Sequence, residues 1–258
     1  MSLNSQIKKL SERIKLHKML FISDQAGIMQ RYIREKQNWD IHLNEVKNFI
    51  KHSSKTKKKN KVVVFGSGWL LDLPLIDLSE NFKKVVLIDI YHPKQIQKKA
   101  KQFPNITVQT DDLTGGLIDF FYNHKKQKVL ISTIESFKYK IPKNTDFVIS
   151  LNIMCQLHII LIDYLRKHNR YSNQELKMIE KQIQLSHINI LPKEKSCLIT
   201  DFEEEIYDEE DNLVGINPLL HIGLPTGSLS KNWQWKFDSL MTYRPNAKTY
   251  FNTTAIDF

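Results

Sequence analysis

Lys61–Pro93, KVVVFGSGWLLDLPLIDLSENFKKVVLIDIYHP, decides the fold. Two short apolar runs rich in valine and isoleucine, KVVVFG and KVVLID, flank a stretch of turn and helix formers, and each run ends in a residue suited to a strand exit. Neither run alternates apolar with polar residues. Strands of this kind are buried on both faces, which points to a parallel sheet sandwiched between helices. The first run ends in Phe65-Gly66-Ser67-Gly68-Trp69, where small residues let the backbone turn tightly and pass close beneath a ligand. The second ends in Asp89, followed by Ile90.

The same texture continues downstream. Ile106–Thr110, Asp146–Leu151 and Ser196–Asp201 read as further strands, and SNQELKMIEKQIQLSHINI, from Ser172, reads as a crossover helix. Ser172 with Glu175 three residues on matches the reciprocal capping box. The segment EEEIYDEEDNLVGI predicts a hairpin around Asp211-Asn212, and WQWKFDS and TYFNTTAI predict two terminal strands. Trp233 and Trp235 alternate and so share one face, a packing arrangement first and an aromatic platform second. Upstream, from Ser5 to about Ile50, apolar residues recur at helical spacing, Ile7, Leu10, Ile14 and Leu20, then Trp39, Leu43, Val46, Phe49 and Ile50. This predicts a prefix of two or three helices, with Asp24 and Asn38 as breaks or caps. The organisation expected is a helical extension over 1–54 able to act as a lid, a basic linker at 55–61 (KTKKKNK), and a catalytic-type domain over 62–258.

Composition bounds the function. The chain has 258 residues, 41% of them hydrophobic, enough for a full core, and a formal net charge of +10. The lysines are spread along the chain, so a solvated surface is favoured over a nucleic-acid groove, which stays as an alternative through phosphate attraction. Cys155 and Cys197 lie in apolar runs where strands are expected and read as small core residues, without disulfide or zinc spacing. No metal is expected. The charged N-terminal stretch has no apolar core and no segment reaches membrane-spanning length, so a soluble, cytoplasmic protein is expected.

Three strand ends converge on one ligand. The glycine turn is followed about twenty residues later by Asp89, a carboxylate suited to the two hydroxyls of an adenosine ribose, and Asp111-Asp112-Leu113 follows the third strand. On the stretch VVVFGSGWLLDLPLIDLSENFKKVVLIDIYHP, continued through NWDIHLNEVKNFI, DFVISLNIMCQL and LITDFEE, the chain resembles the class I S-adenosylmethionine (SAM) dependent methyltransferase superfamily, in a little-characterised bacterial branch. The resemblance implies a Rossmann-like, mostly parallel α/β sheet of the seven-stranded type and SAM as cofactor. It places Gly66, Ser67 and Gly68 at the methionine part of SAM, Asp89 at the ribose, Asp112 and Leu113 at the adenine, and Asn152 near the transferable methyl; Ile90 and Asp111 beside them are further cofactor-binding candidates. Two positions depart from the superfamily pattern: Leu70 stands where a third glycine is usual, and Val64 where an acidic residue is common. The methionine amino group therefore needs another partner, such as Asp72 or a backbone carbonyl.

The glycine turn and acidic strand end are shared with NAD-linked oxidoreductases, but the third glycine of that fingerprint is replaced by Leu71. SAM ranks above NAD for this reason and because of the terminal strand pair. A third class is a methyltransferase fold without turnover that binds nucleic acid or protein. For the methyl acceptor, Asn152, Gln156 and His158 at the fourth strand's exit and Trp39 and His42 in the prefix are the candidates, with Asn152 and His158 as the catalytic pair. His158 could be a base, or simply the first turn of a helix; Trp39 could dock the prefix on the sheet. No NPPY-like motif follows the fourth strand, where Asn152-Ile153-Met154-Cys155 stands instead. This tilts the unidentified acceptor towards a small molecule.

Overall fold

A computed structural model describes residues 3–124, 127–168 and 171–258. The chain opens with three helices, α1 (Leu3–Lys18), α2 (Phe21–Arg34) and α3 (Lys36–Ser54). The breaks differ from those expected. Leu20, with φ 72°, separates α1 from α2, and Glu35 separates α2 from α3, whereas Asp24 and Asn38 lie inside helices. Glu35 is chosen by tertiary contacts: its buried carboxylate accepts the backbone N–H groups of Ser239 and Leu240 at 2.8 and 2.9 Å, pinning the junction to a distant turn.

The sheet follows: β1 (Lys61–Phe65), α4 (Leu75–Asn81), β2 (Lys84–Asp89), α5 (Lys94–Ala100), β3 (Ile106–Thr110), α6 (Leu117–Asn123), α7 (Ile131–Glu135), β4 (Phe147–Leu151), α8 (Ile159–Lys167), α9 (Asn173–Ile190), β5 (Ser196–Tyr207), β6 (Leu213–Pro218), β7 (Leu229–Asp238) and β8 (Lys248–Asp257). Strand order is β3-β2-β1-β4-β5-β8-β7, with β1 to β5 parallel and β7 and β8 antiparallel. This is the Rossmann-like, mostly parallel α/β fold predicted, with eight strands where seven were expected. The additional one is β6, the return arm of the predicted hairpin. It pairs with Glu203–Tyr207 of β5, beyond the point where β4 ends, because β5 runs six residues past Asp201.

Alternate strand residues feed two cores, as the side-chain period of a strand requires. Val62, Val64, Val85, Leu87, Phe147 and Ile149 face α3 and α4, while Val63, Phe65, Val86, Ile88 and Val148 face α9 and Tyr139. Ser172 and Glu175 form the predicted capping box at α9. Helix α3 lies directly on the sheet: Trp39 stacks on Phe237 of β7 with ring centroids 5.5 Å apart and donates its indole N–H to the Phe237 carbonyl at 2.8 Å. By contrast Ile7, Leu10 and Ile14 of α1 remain exposed. The lysine run is held down at Lys57, whose ammonium pairs with Asp257 at 2.6 Å with both side chains largely buried. Cys197 lies in β5 as expected; Cys155 is equally buried but sits in the turn after β4, not in a strand.

Candidate active-site cleft

At the carboxyl edge of the parallel strands, helices α2 and α3 close over the sheet and leave a cleft of about 290 Å³. The floor is the loop after β1. Gly66 takes φ 77°, and a Cβ there would stand 2.4 Å from the Leu151 carbonyl oxygen, so only glycine fits between β1 and β4. Leu70, at the position of the missing glycine, itself adopts φ 56°. The turn is therefore kept with a side chain that buries in the core beneath it, which offsets the roughly 1–2 kcal/mol of left-handed strain. Gly68 donates its N–H to Asp89 Oδ2 at 2.8 Å, the Tyr91 N–H makes a long contact of 3.4 Å with Oδ1, and the Ile90 N–H also faces the carboxylate.

Asn152 holds the opposite wall. Its backbone is left-handed, φ 47°, and its amide nitrogen donates to Asp72 Oδ2 at 3.0 Å. His42 reaches the same point from α3. The Trp233 indole N–H donates to His42 Nδ1 at 3.1 Å, which leaves the ring proton on Nε2; that N–H faces the Asn152 amide nitrogen, itself a donor, at 3.4 Å, so the two do not hydrogen-bond. With its lone-pair nitrogen occupied and its pKa lowered to about 3 by burial, His42 is a neutral donor and not a base. Burial has the opposite effect on the carboxyl groups: it pushes Asp72 and Asp89 up to about 6 and Asp201, midway along β5, up to about 7.

Gly66, Ser67, Gly68, Asp72, Asp89, Ile90, Asp112, Leu113, Asn152, Trp39, His42 and Gln156 all line this cleft. Two of the candidates do not. Asp111 turns into the neighbouring groove, where it accepts the Tyr139 hydroxyl at 3.1 Å. His158 is buried at the start of α8 with its ring 6.4 Å from that of His221, because the turn after β4 winds its side chain away from the cleft. The base role expected for it has no geometric support. Asp112 lines the cleft but its carboxylate accepts from Thr114, Gly116 and Ile118 backbone N–H groups and the Thr114 hydroxyl, so it shapes the entry to α6. Ser67 is likewise committed, to His92 Nε2 at 2.8 Å.

Other lining residues escaped sequence reasoning: Asp24, Gln25 and Arg31 of α2, Asp201 and Glu204 of β5, and Phe237, Tyr243 and Phe251. Asp201 carried a signal, since LITD closes the predicted fifth strand as LID closes β2, although β5 itself continues to Tyr207. The α2 residues carried none, because only docking brings that helix over Gly68; Trp69 fixes it there by donating its indole N–H to the Gln25 carbonyl at 2.7 Å. Gln25 Oε1, Arg31 Nε, Asn152 Oδ1 and Trp235 Nε1 are buried without a hydrogen-bond partner, and all four residues line the cleft. Buried polar atoms are rarely left unpaired, and four of the eleven such atoms among the described residues belong to residues that line this cleft.

No family model matches the chain, and neither does any curated protein. Among solved structures it is similar to the N-methyltransferase NodS from Bradyrhizobium japonicum WM9 in complex with S-adenosylhomocysteine (9% identity, 83% of this chain and 87% of that one, TM-score 0.40). It is also similar to DhpI in a SAM–HEP complex (8%, 93% and 97%, TM-score 0.41) and to YcgJ from Bacillus subtilis (7%, 83% and 98%, TM-score 0.41). At such distances the similarity carries neither substrate nor activity across to this chain.

Among the described residues, no group of three or more histidine, cysteine, aspartate or glutamate side chains is arranged to hold a metal ion. No helix among them is long and apolar enough to cross a membrane.

Proposed function

We propose that the chain is a SAM-dependent methyltransferase whose cofactor lies along the Gly66–Gly68 turn, with its acceptor a small molecule. The observation that carries this reading is Asp89: a carboxylate at the end of β2, braced by the Gly68 and Ile90 N–H groups, in a cleft lined by four residues with unpaired polar atoms. A vicinal diol can donate to such a carboxylate, and Gln25 Oε1, close to Gly68 and Asp89, is a second acceptor for it. Ile90 and Leu113 supply apolar walls for a planar base. Asp72 and Asn152 Oδ1 supply acceptors for an ammonium, the partner that the absent acidic residue at Val64 would otherwise have been. When bound, SAM supplies a methyl group on a sulfonium; the protein's part is to position an acceptor in line with it and exclude water.

The alternative of a non-catalytic module rests on the missing glycine and on Val64. Leu70 takes a glycine's left-handed backbone, which removes the first of these grounds. The test is calorimetric titration with SAM and with S-adenosylhomocysteine. Saturable binding is expected, together with at least about a tenfold loss of affinity in Asp89→Ala, the size of a hydrogen bond to a charged group. Absence of binding in folded protein, or unchanged affinity in Asp89→Ala, would overturn the assignment.

A further inference from the structure

The half of the cleft away from the glycine turn has a chemistry of its own. Its floor is β5, and its walls are β7, β8 and α2. In a regular strand Asp201 and Glu204, three residues apart, would point to opposite faces. A bulge between Asp201 and Glu203 resets the alternation: Asp201 stands opposite Thr253, and Glu204 opposite Phe251. Thr253 and Phe251 are two apart on β8 and share a face, so both carboxylates enter the cleft. Above them Trp235 and Phe251 have ring centroids 5.8 Å apart, and Phe251 and Phe237 4.7 Å. The two carboxylates are not equivalent. Glu204 is held by the Arg244 guanidinium at 2.7 and 2.8 Å, and Arg31, the cation of α2 in the same cleft, lies over Phe237 and Tyr243 near Asp24. Asp201, buried to 2% exposure, meets the Thr253 hydroxyl at 2.6 Å and no cation within ion-pair distance among the described residues. Independently of the acids, Trp235, 6% exposed, leaves its indole N–H without an acceptor beside the same space.

A buried carboxylate without a cation, aromatic side chains lining the same cleft and an unanswered N–H donor together describe a ligand with a positive charge and an oxygen close by. We propose that this half of the cleft receives a primary or secondary amine carrying a neighbouring oxygen, and that Asp201 is the carboxylate that binds its ammonium and takes its proton. The inference rests on the SAM reading above and names the acceptor class for it. The proton passes from the ammonium to an Asp201 oxygen. The freed nitrogen lone pair then attacks the methyl carbon, the N–C bond forms as the C–S bond breaks, and the bonding pair returns to sulfur. Positive charge thus moves from sulfonium to the methylated nitrogen. Burial supports the proton step by holding Asp201 at about 7, within reach of an ammonium in the same dry space. Glu204, already neutralised by Arg244, shapes the wall.

The test uses matched pairs that differ only in amine against hydroxyl: ethanolamine and ethylene glycol, aminocyclohexanol and cyclohexanediol, phenylglycinol and phenylethylene glycol. Each is titrated into protein saturated with S-adenosylhomocysteine. The expected result is that at least one amine binds about tenfold or more tightly than its diol, and that Asp201→Asn removes the difference while S-adenosylhomocysteine affinity stays within about twofold. Amides replace buried carboxylates with little change of shape, and Asp201→Ser, which keeps a short polar side chain in the strand, serves as a second variant should the first be unstable. If S-adenosylhomocysteine binds but diols bind as well as amines, or no amine binds, or Asp201→Asn leaves the preference intact, the acceptor assignment is wrong and the cofactor reading stands. If S-adenosylhomocysteine itself does not bind, both fall.

Discussion

Strands β1 to β3 and strands β5 to β8 both bring carboxylates to one cleft, but they do so by different means. On the first side, Asp89 arrives where a parallel strand ends, braced by the backbone N–H of a glycine turn that follows its neighbour. Regular geometry does the positioning, and regular geometry is written locally. On the second side, Asp201 and Glu204 share a face only because a bulge breaks the alternation of β5, and β7 carries a second register shift between Lys236 and Asp238. There the aromatic rings come from β7 and β8, the carboxylates from β5 and the covering helix α2 from the other end of the chain. The difference separates a site that tolerates no change of backbone from one whose stability lies in side-chain packing.

The largest effect expected is at the rigid side. Gly66→Val would force a branched side chain into φ 77° and onto the Leu151 carbonyl and Ile153. Strain and overlap of this kind together cost several kcal/mol, so the variant should lose soluble expression or the cooperative melt seen by circular dichroism. A stable Gly66→Val protein would mean that the β1–β4 contact is looser than described.

On the packed side, Trp39→Ala removes the ring that joins α3 to Trp235 and Phe237 and the bond to the Phe237 carbonyl. A loss of about 3–5 kcal/mol is expected, read as a lower denaturant midpoint, with the fold retained. A loss below about 1 kcal/mol would show that α3 is an attached lid instead of a layer of the core.

The smallest effect concerns charge. Asp201 has its pKa raised from about 4 in the unfolded chain to about 7 in the folded one by burial. The sign follows from proton binding: its contribution to stability is full below pH 4 and is lost as pH rises to 7. Asp201→Asn escapes that loss. Its melting temperature should exceed that of the parent protein at pH 8 and fall to or below it at pH 4, a difference on the order of a few kcal/mol. Comparison with the parent at each pH is needed because His42, lowered to about 3, and His92 and His187, lowered to about 4, lose stability in the opposite direction as pH falls through the same range. An advantage equal at both pH values would mean that Asp201 is not the buried acid described here.

The reading of the cleft from sequence was uneven in the same way as the two sides. Gly66, Gly68, Asp89 and Leu113 were legible because a strand's end and its turn are specified by a few consecutive residues. His158 was misplaced, since a turn of six residues after β4 can carry a side chain to either side and periodicity does not say which. Capping chemistry points to helix breaks at Asp24 and Asn38, whereas Glu35 is selected by two backbone N–H groups more than 200 residues away. Ile7, Leu10 and Ile14 illustrate the converse: a helical period was present, and the face it defines stays exposed.

By itself the sequence determined the parallel sheet, its succession of strands and helices, the glycine turn and the acidic exit of β2, because each depends on hydrophobic period and turn chemistry within a dozen residues. Only the tertiary structure decided that Leu70 could take a glycine's backbone, that α2 lies over Gly68, and that His42 holds its proton on Nε2. It alone turned Asp201 and Glu204 onto one face beneath Trp235. These depend on what meets across the fold, and packing between residues far apart in the chain leaves no local pattern from which to read it.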